Sequence, residues 1–99
     1  MNLTNLNPQF EEILFEDVET ITTNTLLPRV ILFNDQSHNF HDVVKQIIKA
    51  IECDFDTAND IAEEAHTEGK AVVFEGEMVE CLGVSAILEE IELHTQIEC

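Results

Sequence analysis

The sequence predicts an α+β fold. It reads as one small domain in the order β-α-α-β-α-β: a three-stranded antiparallel sheet with three helices packed on one face, preceded by an extension. The first observation behind this is a pair of short apolar runs rich in β-formers, Val30-Ile31-Leu32-Phe33 and Ala71-Val72-Val73-Phe74. The second is apolar residues recurring at helical spacing between and after those runs. The third is the C-terminal alternation of Leu93, Thr95 and Ile97 with His94, Gln96 and Glu98, the period of a half-buried strand. A chain of 99 residues with 44% hydrophobic content suits one modest core.

Each element has its own signals. Composition shifts near Pro28, so residues 1–27 are expected to form a flexible N-terminal extension and residues 28–99 the core domain. The extension has no Lys, Arg or Gly and carries an acidic, apolar patch from Phe10 to Val18. Arg29 to Phe33 reads as a buried strand that enters a turn at Asn34-Asp35. Ser37 or Asn39 caps the first helix, whose stripe is Phe40, Val43, Val44, Ile47, Ile48 and Ile51. Asp54 or Asp56 caps a second helix through Ala58, Ile61, Ala62 and Ala65, which Gly69 ends. Lys70 to Phe74 is the second strand, and Gly76 breaks the chain. Met78, Val79, Leu82, Ala86, Ile87 and Ile91 mark the third helix.

Charge excludes several function classes. Four Lys+Arg stand against 21 Asp+Glu, a formal net charge of -17. Phosphate backbones and anionic lipid surfaces attract the opposite sign, so neither nucleic acid nor membrane is an expected partner. The same field favours basic partners, a free amino group among them. Cys53, Cys81 and Cys99 show no paired spacing, which argues against a disulfide framework or structural zinc and for reduced thiols in a cytoplasmic protein. No apolar signal core precedes Arg29, so nothing in those residues directs export. His38 and His41 could share one face, but no third ligand falls in spacing; no metal or other cofactor is expected. A cysteine with His66 lacks a Gly-rich oxyanion loop or any local signature of a thiol enzyme, and no enzymatic activity is expected.

The segment Val30 to Val44, VILFNDQSHNFHDVV, followed by Ala65-His66-Thr67-Glu68-Gly69-Lys70-Ala71, resembles the ClpS family of bacterial and plastid Clp protease adaptors. Such proteins carry a strand ending in Asn-Asp-Asp, then an aromatic, Thr, Pro, Met and an apolar helix. Later come a His, two residues and Gly-Lys or Gly-Arg. The resemblance implies an adaptor that binds N-terminal degradation signals and delivers the substrate to a Clp AAA+ unfoldase of the ClpA or ClpC type. Its partners would then be that unfoldase and the N-terminal segments of substrate proteins. The alternative is a ClpS-like regulator that docks on the unfoldase without reading N-termini.

The resemblance also assigns a site. Asn34, Asp35, Gln36 and His66 would bind the α-amino group; Gln36 stands where the family has a second Asp. His38, Phe40, Val43, Ala62 and Ala65 would form the side-chain pocket. His38 replaces a Thr there, Asn39 a Pro and Phe40 a gating Met, while Ala62 stands where a larger residue such as Met is common.

Overall fold

The computed structural model describes residues 27–99. The extension expected over residues 1–27 lies, Leu27 excepted, outside the described residues. The elements are β1 (Arg29–Phe33), α1 (Phe40–Ile51), α2 (Phe55–Glu68), β2 (Lys70–Glu75), α3 (Met78–Leu88), a 3-10 turn (Glu89–Ile91) and β3 (Thr95–Glu98). They form the expected α+β domain, with a fully antiparallel sheet in the spatial order β2-β1-β3.

The first strand is central, which explains its unbroken apolar run: Val30, Ile31 and Leu32 are all buried. Val30 and Leu32 join the core beneath the helices, together with Ala71 and Val73 of β2, while Val72 stays exposed on the opposite face. The pairing of β1 with β2 shifts register between Val30 and Ile31, so Val73 is the extra residue of a bulge. The bulge lets Val73 and its neighbour Phe74 both reach the core.

The first helix is strongly amphipathic and buries Val44 and Ile47. Of the two capping residues that the sequence offered, Asn39 is the cap, accepting the Asp42 N–H at 3.0 Å. Ser37 turns back to Asp35 instead. At α2 the cap is Asp54, which accepts the Thr57 N–H at 2.9 Å, and Asp56 lies in the first turn. Small buried residues line the inner face of α2, Ala58, Ala62 and Ala65, and let its backbone approach the neighbouring elements. Gly69 ends α2 at a φ of 95°, where a side chain is strained, and returns its N–H to Ala65 O.

The third helix departs from its expected stripe. Its inner side is Cys81, Val84 and Leu88, whereas Met78, Val79 and Leu82 are exposed. Apolar residues occur all around this helix, so periodicity could not select the inward face. The α-helix also stops at Leu88; Ile91 belongs to the 3-10 turn that follows. All three cysteines are free thiols. Among the described residues no helix is long and apolar enough to cross a membrane, and no His, Cys, Asp or Glu cluster is placed to hold a metal ion.

Candidate functional site

A cavity of about 450 Å³ opens where the β1–α1 turn meets the C-terminal half of α2. It gathers residues from distant parts of the chain. The turn after β1 supplies Asn34, Asp35, Gln36 and His38, and the first turn of α1 supplies Phe40 and Val43. From α2 come Ala62, Ala65 and His66. Every site residue named from the sequence therefore lines this one cavity.

Local structure explains the arrangement. The Asn34 N–H donates to Gly69 O at 2.9 Å, which binds the start of the turn to the end of α2 and holds Asn34 near His66. Asp35 organises the next residues. One of its oxygens accepts from the Ser37 N–H at 2.7 Å and from the Ser37 hydroxyl at 2.6 Å. The other lies 2.8 Å from His38 Nδ1. Such Asx-type bonds within a turn fix its shape before any ligand arrives. His38 Nε2 bonds to the backbone carbonyl of Ile91, fastening the turn to the 3-10 segment.

The cavity has two chemical characters. Its apolar part is walled by the buried Ala62 and Ala65, the half-buried Val43 and the partly exposed Phe40. Leu32 and Leu93, both buried, also line it, as does Phe33. These three were not foreseen. Leu93 reaches the cavity from near the far end of the chain; its sequence signal is its place in the C-terminal alternation, although the strand itself begins only at Thr95. The polar part is Asn34, Asp35, Gln36, His38 and His66.

Two groups there have displaced acidities. The Asp35 carboxyl is held below its usual value, first by the Ser37 hydroxyl, then by the Ser37 N–H and by His38, against some desolvation. His38 is raised above 6.5, chiefly by the Ile91 carbonyl, with Asp35 and Glu92 adding and desolvation opposing. An apolar wall beside convergent hydrogen-bonding groups suits a ligand with one apolar and one polar end.

A second exposed feature stands apart from the cavity. Met78, Val79 and Leu82 place large apolar side chains in solvent along one side of α3. A family model described as "ATP-dependent Clp protease adaptor protein ClpS" matches residues 26–96. No curated protein matches the chain.

Proposed function

This chain belongs to the ClpS family of Clp protease adaptors, and from that premise we propose that its cavity binds the first residue of substrate proteins for delivery to a Clp AAA+ unfoldase. A chain terminus offers a free ammonium beside a side chain. A receptor needs hydrogen-bonding partners for the first and an apolar recess for the second, because an unpaired buried ammonium is costly. The observation that carries the reading is the single cavity in which Asn34, Asp35, Gln36 and His66 adjoin Phe40, Val43, Ala62 and Ala65. Gln36 can accept through its amide oxygen but brings no charge. The exposed Met78, Val79 and Leu82 supply an apolar surface for the unfoldase.

The test is titration with short peptides that differ in their first residue. A Leu- or Phe-initiated peptide binds, and its acetylated form, which lacks the charge and a donor, binds far more weakly. Equal affinity for both forms, or no binding of either, overturns the reading. One observation favours a second reading, a regulator that docks on the unfoldase without reading N-termini: Gln36 is uncharged, and Asp35 is already engaged by His38. Failure of every peptide with retained unfoldase binding selects that reading.

A further inference from the structure

The two nitrogens of His38 face only acceptors. Nδ1 lies 2.8 Å from Asp35 Oδ2, and Nε2 meets the carbonyl oxygen of Ile91. A peptide carbonyl has no proton to give, and an ionised carboxylate is acceptor-only. Ser37 Oγ, 3.5 Å from Nδ1, is no alternative partner, because it sits 2.6 Å from Asp35 Oδ1. A neutral imidazole donates from one nitrogen and would set a lone pair against an oxygen at the other. The geometry is that of an imidazolium donating twice.

The consequence lies in the charge of the cavity. Among the described residues that line it, Asp35 is the one carboxylate. An imidazolium beside it cancels that charge. The charged groups acting on the ring are Asp35 from its own turn and Glu92 from the segment after the 3-10 turn; His66 of α2 lines the same cavity.

We propose that His38 is a positioning residue that gates amine binding: as an imidazolium it holds and neutralises Asp35, and when rising pH removes its proton it frees that carboxylate for a ligand's primary ammonium. This rests on the N-terminal reading above. Binding of the ammonium displaces an internal cation, so it releases a proton. The ring is raised above 6.5, so the climb continues past that pH before it levels off. On the climb affinity rises by at most about tenfold per pH unit, the limit for one linked proton.

The experiment measures the affinity of the full chain for a Leu-initiated peptide from pH 6 to 8.5, with the peptide's own amine titration (about 7.7–8.0) divided out. His38→Gln is measured in parallel, and NMR of the ring nitrogens follows the protonation of His38. Expected are a doubly protonated ring at low pH, affinity rising as it titrates, and a flat profile for His38→Gln that lies near the high-pH limit of the parent protein, because no cation there competes for Asp35. Calorimetry in two buffers of different ionisation enthalpy shows proton release for the parent beyond that of the variant, whose own exchange is the uptake by the peptide's amine. Peptide binding with a flat profile, or a neutral ring across the range, overturns the gate and leaves N-terminal binding standing. No binding at any pH by either protein overturns both.

Discussion

The first and third helices are both rich in apolar residues, the third more so, and use them differently. In α1 the apolar residues form one stripe, Val44 and Ile47 vanish into the core, and the other side carries Lys45 and Lys49. In α3 the residues that vanish are Cys81, Val84 and Leu88, and equally large apolar side chains, Met78, Val79 and Leu82, face solvent. The two pack against each other: Gln46 of α1 donates to Ile87 O at 2.7 Å, and Lys49 reaches Glu90 at 2.8 Å. The contrast separates two demands. A helix that serves only its own core needs one apolar face, and a second one calls for an additional partner.

The largest expected effects test whether the inner faces are equivalent. Ile47→Ala in α1 and Leu88→Ala in α3 each empty a fully buried site. Each should lower stability by roughly 2–5 kcal/mol in denaturant unfolding. A much smaller loss for Leu88→Ala would mean that α3 packs loosely and that its two sides differ less than described.

Next in size are the helix starts. Asn39→Ala removes the side-chain cap of α1 and should cost about 0.5–2 kcal/mol. It also loosens the turn that frames the cavity, so peptide affinity should fall with it. In α3 the start is held differently, with the Glu80 carboxylate accepting the Glu77 N–H at 3.1 Å. Glu80→Ala should lower stability and leave peptide affinity intact.

Smaller still is the stability change from Val79→Ser, because that side chain is 75% exposed. The expected shift is within about 0.5 kcal/mol. If the outer side of α3 meets the unfoldase, Val79→Ser combined with Leu82→Ser weakens unfoldase binding while peptide binding persists. Unchanged unfoldase binding would remove the functional half of the comparison.

The smallest expected signal is a slope. The bond from His38 to Ile91 joins the entry of α1 to the turn that leaves α3. Because folding raises the pKa of His38 above 6.5, its contribution to stability is complete below that value. That contribution is lost as pH rises through the folded value. His38→Gln should remove this component from the pH dependence of the melting temperature. Asp35 has the opposite sign: its contribution is present above 3.8 and lost as pH falls through its lowered value.

Much of this was legible before any coordinates. The order of elements, the buried first strand, the α1 stripe and the glycine at the end of α2 follow from periodicity and local backbone chemistry; the central place of that strand in the sheet does not. The residues that the family resemblance assigned to the site do line one cavity, with Asn34 and His66 at the ends of elements that the pattern placed. The inward face of α3 was not legible, since apolar residues surround that helix and leave no period to read. Nor were the partners of His38: Ile91 contributes a backbone carbonyl, which every residue has, from 53 positions away. The choice of Asn39 over Ser37 as cap depended on Asp35 engaging Ser37 first.

The place of β1 in the sheet bears on how the domain meets mechanical force. This strand lies between β2 and β3 and is antiparallel to both. Its ladder bonds run perpendicular to its axis. A pull applied through the residues that precede Pro28 would draw the strand along that axis. It would load the bonds to both neighbours together, in shear, instead of opening them one after another from an edge. A machine tugging on the N-terminal side would meet its stiffest obstacle at once. The turn that frames the cavity begins where that obstacle ends, so it keeps its shape until the whole strand slips.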